Sequence, residues 1–221
     1  MSDAPDQRPP EMVPPPPGVS TGMAVVFYGI MIIIAVAIGG WWLNLDLIEW
    51  HNRWETALWL DVLLGAGLGV VTVIASRILE HTTQWARVLG EEFRKILGNL
   101  SPTQVMVLAV TSGVAEEVFF RGFLQQALSE LWLQNDWLGL VVASLIFGLI
   151  HVGPDRKKFL PWTIMAVVMG FGFGLLYLYT GNILAPVVAH FTINFFNLLH
   201  IARDKQGDEE EEEGLESGDD E

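Results

Sequence analysis

Four polar side chains lie in otherwise apolar stretches of the sequence and have the chemistry to activate a water molecule: Glu116, His151, His190 and Asn194. A carboxylate beside an imidazole can take a proton from water, and the hydroxide that forms can attack a carbonyl carbon. A second imidazole and an amide can donate hydrogen bonds to the resulting oxyanion. No serine, cysteine or threonine nucleophile is required. These residue types therefore predict a hydrolytic site.

Three pairs of residues in the same stretches are spaced four apart, so that the two members share a face if the chain is helical. The pairs are Glu117 with Arg121, Phe147 with His151, and His190 with Asn194. In the first pair the acid precedes the base, which is the order that favours an ion pair. Glu116 lies about 100° around the helix from Glu117 and has no such local partner. We therefore assign Glu116 to chemistry and Glu117 to an ion pair.

Apolar segments long enough for membrane spans hold these residues. Six are found, at 23–43, 56–76, 104–133, 137–152, 160–179 and 183–201. Residues 159–202 contain no Asp, Glu, Lys or Arg, a length that suffices for two bilayer crossings. Unpaired backbone groups are costly in lipid, so the spans must be helices. The predicted fold is all-α, a polytopic transmembrane bundle of about six spans.

The remaining segments complete the predicted organisation. Residues 77–100 mix apolar and charged residues in a helical rhythm, which is typical of an amphipathic helix on the membrane surface. We divide the chain into a disordered proline-rich arm, a two-span region with the surface helix, a catalytic transmembrane core and a disordered acidic tail. The corresponding ranges are 1–22, 23–103, 104–201 and 202–221.

Charge and composition exclude several classes of protein. The formal net charge is −14, and much of it comes from the acidic residues of 208–221. Nucleic-acid binding requires a basic surface, so no nucleic-acid partner is expected. The chain has no cysteine, which excludes disulfides, thiolate metal sites and a thiol nucleophile.

Basic residues in the predicted connections indicate the orientation. With six crossings, both termini share a side with the loops 77–103 and 152–159. That side holds Arg8, Arg77, Arg87, Arg94, Lys95, Arg156, Lys157, Lys158, Arg203 and Lys205, whereas the opposite side holds Arg53. Because cytoplasmic loops are enriched in Lys and Arg, we predict a multi-pass protein of the inner (cytoplasmic) membrane with both termini in the cytoplasm.

The order of the motifs resembles a known family. Glu116-Glu117-Val118-Phe119-Phe120-Arg121, then Phe147-Gly148-Leu149-Ile150-His151, then His190-Phe191-Thr192-Ile193-Asn194 follow one another in hydrophobic spans. This arrangement is similar to that of the CAAX-processing and bacteriocin-processing (CPBP, or Abi) membrane proteases, the type II CAAX prenyl endopeptidase group. The resemblance covers about 104–201.

The resemblance implies a helical intramembrane endopeptidase of the glutamic type. Glu116 would activate the water with help from His151, and His190 with Asn194 would stabilise the oxyanion. Glu117, Arg121 and Phe147 would support the site. We expect no metal cofactor, because the His-Glu-x-x-His helix of common metalloproteases is absent. Zinc held by Glu116, His151 and His190 is the alternative.

Substrate and partners follow from the same resemblance. The expected partners are the lipid bilayer and a membrane-associated protein, or its C-terminal tail peptide, as substrate. Two other functions remain open. Ionisable residues in spans also form proton relays, so a proton-coupled transporter is one alternative. A non-catalytic bacteriocin-immunity or scaffold protein is the other.

Two further polar or helix-breaking positions bear on the fold. Asp61 lies near the non-cytoplasmic end of the second span, where we expect it to reach the lipid headgroups. Pro186 lies four residues before His190. It either begins the last span or kinks it and redirects His190.

Overall fold

A computed structural model of the protein describes residues 20–49 and 56–218. Within these ranges the chain forms helices joined by short loops and no strand, so the predicted all-α fold is confirmed. The helices are α1 (Thr21–Trp42), α2 (Leu58–Thr82), α3 (Gln84–Leu97), α4 (Pro102–Trp132), α5 (Asp136–Ile150), α6 (Arg156–Thr180) and α7 (Leu184–Gly218). The proline-rich arm lies almost wholly outside the described residues. The backbone of α7 continues to Gly218, past the boundary that composition places at 202.

Five of the described helices are long and apolar enough to cross a membrane, namely α1, α2, α4, α6 and the Leu184–Arg203 part of α7. The fourth predicted span, at 137–152, corresponds to α5, which has 15 residues. Its length is therefore about 22 Å, against a hydrocarbon core of about 30 Å. Among the described residues, five helices thus have spanning length and α5 is a sixth, shorter apolar helix, in agreement with the predicted bundle of about six spans.

The short helix α5 runs back along only one half of α4. Near its start, Gly139 lies against Ser129, so closely that a side chain at this position would overlap the serine backbone. Just past its end, His151 faces Glu116. Helix α4 continues beyond Glu116 for nearly four more turns towards Pro102. The end of α5 therefore lies at the depth of Glu116, inside the bundle.

Glycines let α5 pack closely on α6. A Cβ at Gly148 would overlap both the backbone nitrogen and the side chain of Val167, and Gly170 faces the backbone of Ser144. Small residues of this kind are what transmembrane helices use to approach one another. Close packing holds the α5 terminus, and with it His151, in a fixed place.

The amphipathic helix α3 packs on the first turns of α6. The Phe93 ring makes edge-to-face contacts with Phe159 and Trp162, at centroid distances of 5.3 and 5.1 Å. Lys158 Nζ donates a hydrogen bond of 2.8 Å to Glu92. The predicted helix is present, and its position on a membrane surface stays a prediction.

Two sequence expectations are decided by the packing of the loop before α7. Asp61 has no exposed surface and binds Thr56 and the Nδ2 atom of Asn182, the latter at 2.9 Å, so the expectation that it reaches headgroups is wrong. The loop folds back over the start of α2 and buries the carboxylate.

Helix α7 begins at Leu184, so Pro186 lies in its first turn, where a proline leaves no hydrogen bond unmade.

Candidate active site

Glu116 lies at the centre of a buried polar cluster. It is 6% exposed and occupies the last α-helical turn of α4, just before the wider π-helical stretch Val118–Gln125. Its Oε2 atom is 3.6 Å from His151 Nε2 and 3.9 Å from His190 Nε2. The same oxygen is buried and has no direct hydrogen bond to the protein. Two imidazoles from separate helices thus face one carboxylate oxygen across a gap.

His151 is held in one ring orientation by the end of α5. Its Nδ1 atom lies 2.6 Å from the carbonyl oxygen of Phe147, one turn earlier. Because a carbonyl only accepts, Nδ1 must carry the proton of this bond. In the neutral ring the lone pair is then on Nε2, the atom that faces Glu116. The Thr163 hydroxyl fixes the backbone by donating to the His151 carbonyl at 2.9 Å.

His190 is held by the second glutamate of the first motif. Its Nδ1 atom lies 2.8 Å from Glu117 Oε1, and the ring stacks on Phe173 at a centroid distance of 5.0 Å. A carboxylate accepts only, so His190 donates from Nδ1 and presents Nε2 to Glu116. Glu117 therefore orients a histidine as well as pairing with an arginine.

Arg121 completes this support. Its Nε atom donates to Glu117 Oε2 at 2.9 Å, which is the ion pair expected from the spacing. Nη1 donates to Gln125 Oε1 at 3.3 Å, and Gln125 Nε2 donates to the Gly174 carbonyl on α6 at 3.2 Å. Arg121, Glu117 and Gln125 have no exposed surface. A buried chain of polar contacts thus connects α7, α4 and α6.

Phe147 forms the apolar wall beside the two histidines. Its ring lies 4.4 Å from that of His151 and 6.0 Å from that of His190. The Arg121 guanidinium lies 5.3 Å from the same ring, within cation–π distance. Phe147 therefore packs against three of the other predicted site residues.

Asn194 lies one turn along α7 from His190. Its Nδ2 atom donates to the Ser112 hydroxyl at 2.8 Å, and Ser112 is one turn before Glu116 on α4. The structure thus brings Glu116, His151 and His190 into direct proximity and places Asn194 at the adjoining turn. An amide nitrogen carries two N–H groups, so one remains to donate elsewhere.

Three residues that contact this cluster were missed by the sequence reasoning: Tyr28, Ser112 and Gln125. Ser112 and Gln125 do have a signal, because each lies four residues from a motif residue on the same helix. Tyr28 is on α1, and its ring packs against the buried apolar cluster that includes Phe147. Nothing in the sequence connects α1 with α4.

The donor atoms around Glu116 include types that zinc accepts, two imidazole nitrogens and a carboxylate oxygen. Within the ranges that the structure describes, however, no group of three or more His, Asp or Glu side chains gathers closely enough to hold a metal ion. We therefore derive no step through a metal here.

Comparison with known proteins identifies the segment that carries the site. Residues 98–196 match the model of the type II CAAX prenyl endopeptidase Rce1-like family. This segment contains all seven predicted site residues. The segment is similar to that family. A family of CAAX-type endopeptidases supports protease activity for the chain in general terms.

Three proteins of Bacillus subtilis (strain 168) are similar to the chain. The uncharacterized protein YpbD is 28% identical over 182 residues, which is 80% of this chain and 90% of YpbD. A protein named "Putative membrane peptidase YdiL" is 34% identical over 95 residues, or 43% of this chain and 36% of YdiL. The uncharacterized protein YyaK is 28% identical over 77% of this chain and 59% of YyaK. No solved structure matches the chain.

Proposed function

We propose that the protein is an intramembrane endopeptidase that hydrolyses a peptide bond of a membrane-associated protein with a water molecule activated by Glu116 and His151. The observation that carries this proposal is the arrangement around Glu116 Oε2. This buried oxygen has no protein hydrogen bond and faces the two Nε2 atoms at 3.6 and 3.9 Å. Those distances exceed a direct hydrogen bond, and we infer that a water links the three atoms during the reaction.

The reaction follows from the orientation of each group. Glu116 takes a proton from the water as its oxygen attacks the scissile carbonyl carbon, while the Nε2 lone pair of His151 accepts the other water hydrogen. The C–N bond then breaks, and Glu116 returns its proton to the leaving amine. The negative oxygen of the tetrahedral intermediate accepts hydrogen bonds from Asn194 and, when His190 carries both ring protons, from its Nε2.

The proposed substrate is a membrane protein or its C-terminal tail, because the matched family is named for cleavage of prenylated CAAX termini. Helix α5 ends next to Glu116, part-way towards the side of the bundle where α4 begins. The basic residues 156–158 lie just past the loop that follows His151. We therefore propose that this side of the bundle, and both termini, face the cytoplasm at the cell inner membrane.

Comparative proteomics tests the proposal. Cells that produce the wild type or Glu116→Gln are compared for membrane proteins that gain an uncut tail. Glu92→Gln, a change of the same chemistry on the surface helix α3, is the control. We expect uncut species with Glu116→Gln alone, and growth with a metal chelator should not reproduce them. Normal processing by Glu116→Gln would contradict the mechanism.

The same variants distinguish the two other functions. A non-catalytic immunity or scaffold protein predicts that Glu116→Gln leaves both the proteome and the cellular phenotype unchanged. A proton-coupled transporter predicts solute uptake by the purified protein in liposomes and no change in tail processing.

A further inference from the structure

Trp162, in the first turns of α6, contacts the ring of His151. The centroids of the two rings are 5.1 Å apart and their planes are inclined at 73°, which is an edge-to-face arrangement. The Phe147 ring lies 4.4 Å from the same imidazole. The imidazole of His151 is therefore packed against two aromatic rings, one from its own helix and one from α6.

The position of His151 makes it dependent on such contacts. It lies just past the last residue of α5, so no further helical turn holds it. The bond from Nδ1 to the Phe147 carbonyl fixes one edge of the ring, and packing must fix the rest. Helix α6 already holds the backbone here, because the Thr163 hydroxyl donates to the His151 carbonyl at 2.9 Å. A Cβ at Gly153 would overlap the Phe159 ring, so the chain after His151 also runs directly against α6.

The indole of Trp162 is in turn packed against the amphipathic helix α3. The Phe93 ring lies 5.1 Å from it, with the two planes inclined at 87°. Phe159, which is 1% exposed, contacts both rings, at 5.3 Å from Phe93 and 6.0 Å from Trp162. Ring contacts thus run without a break from α3 through Trp162 to His151. Helix α3 lies outside the segment 98–196 that is similar to the endopeptidase family.

We propose that Trp162 is a positioning residue, which holds the His151 ring with Nε2 towards Glu116, and that Phe93 of α3 holds Trp162 in place. The effect of Trp162 on turnover rests on the proposed function, whereas the ring contacts do not. Helix α3 is on this view part of the support of the active site and not only a connection between α2 and α4.

The ring contacts can be measured without any substrate, because the resonance of a fluorine nucleus responds to neighbouring rings. The purified protein is labelled with 5-fluorotryptophan, and Trp162→Phe assigns the Trp162 resonance among those of the nine tryptophans. We expect His151→Ala and Phe93→Ala each to shift that resonance. The resonance of Trp137, which is 62% exposed at the far end of α5, should stay unchanged. A Trp162 resonance that ignores His151→Ala would overturn the positioning role, and one that ignores Phe93→Ala would overturn the link to α3.

The consequence for catalysis is a change in kcat rather than KM. A catalytic group displaced by about 1 Å can lower a rate by about 100-fold. We expect Trp162→Ala to reduce kcat by about 10- to 100-fold and to leave KM within about twofold. Trp162→Phe keeps an aromatic ring against the imidazole and should recover kcat to within about threefold of the wild type. Trp137→Ala is the control and should keep the wild-type rate. The probe is a membrane protein that accumulates uncut in Glu116→Gln cells.

The role of α3 is tested by combining substitutions. Phe93→Ala should lower kcat in the wild-type background and have no further effect in Trp162→Ala, because the contact through which it acts is already lost. Trp85→Ala, at a residue of α3 that is 38% exposed, is the control and should keep the wild-type kcat. Equal fractional losses of kcat from Phe93→Ala in both backgrounds would overturn the link between α3 and His151.

The outcomes separate this proposal from the proposed function. Wild-type kcat for Trp162→Ala, a loss confined to KM, or a Trp162→Phe protein as impaired as Trp162→Ala would each refute the positioning role while the proposed function stands. Absence of cleavage by the wild type would refute the proposed function and the catalytic effect of Trp162 with it. The fluorine spectrum decides whether the contact exists even if Trp162→Ala fails to fold.

Discussion

His190 donates from Nδ1 to Glu117 at 2.8 Å, so the glutamate next to the proposed base orients the histidine that faces that base. The other oxygen of Glu117 accepts from Arg121 at 2.9 Å. Adjacent positions on one helix thus have separate duties. Glu116 Oε2 faces two imidazoles without a direct hydrogen bond to either, and each oxygen of Glu117 accepts one hydrogen bond.

Glu117→Gln is expected to destabilise the fold. It leaves the guanidinium of Arg121, which has no exposed surface, without its carboxylate. Breaking a buried ion pair by removing one partner costs about 3–5 kcal/mol. Thermal unfolding in detergent measures the change, and Glu92→Gln, whose partners lie at the protein surface, is the control. Equal melting temperatures for the two variants would contradict the structural role assigned to Glu117.

Gly148→Ala is expected to impair both stability and cleavage. The added Cβ would meet the backbone and side chain of Val167 and force α5 away from α6, three residues before His151. Overpacking of this kind costs about 1–3 kcal/mol. Gly67→Ala, where no atom lies within 4 Å of the new Cβ, is the matched control and should retain wild-type activity. A fully active Gly148→Ala protein would show that the α5 terminus does not depend on this contact.

The spacing of residues along single helices predicted much of the site. Contacts between residues of different helices could not be predicted in this way. The Glu117–Arg121 ion pair follows from a four-residue spacing. The bond from His190 to Glu117 does not, because it depends on how α7 is rotated against α4. No local pattern in the sequence encodes that rotation, and the same reason explains why Tyr28 was missed.

Position along a span also misled the prediction for Asp61. Its place near the end of an apolar segment suggests the headgroup region, but Asn182 folds over it and supplies a buried donor. The end of α5 was also predicted too far along the chain, because the end of an apolar run need not be the end of a helix. The apolar run continues to 152, whereas the helix ends at Ile150, where His151 turns to meet Glu116.

The contact between α3 and α6 should depend on pH through Glu92. Hydrogen bonds from Lys158 and then Lys95 hold the pKa of Glu92 below its ordinary value. Because the pKa is lower in the folded state, the stabilisation is present above the pKa of the unfolded chain and is lost as the pH falls through that of the folded protein. The melting temperatures of wild type and Glu92→Gln should therefore differ near neutral pH and converge in acid. A difference that is the same at every pH would contradict this contact.

The orientation can be tested by single-cysteine labelling, since the chain has no cysteine of its own. Asn99→Cys, Gln134→Cys and Lys157→Cys place thiols before α4, between α4 and α5, and at the start of α6. We expect α5 and the loop after it to cross the bundle together. Asn99→Cys and Lys157→Cys should then be labelled from the cytoplasm, and Gln134→Cys from the opposite side. Labelling of Gln134→Cys and Lys157→Cys from the same side would contradict the proposed topology.

The most direct test of the account is the cleavage rate of one membrane substrate by purified wild type and Glu116→Gln in the same proteoliposomes, with and without a zinc chelator. Loss of a general base lowers the rate by about 10²–10⁴-fold. We expect that loss for Glu116→Gln, an unchanged melting temperature, and no effect of the chelator on the wild type. Cleavage by Glu116→Gln at the wild-type rate would contradict the central claim.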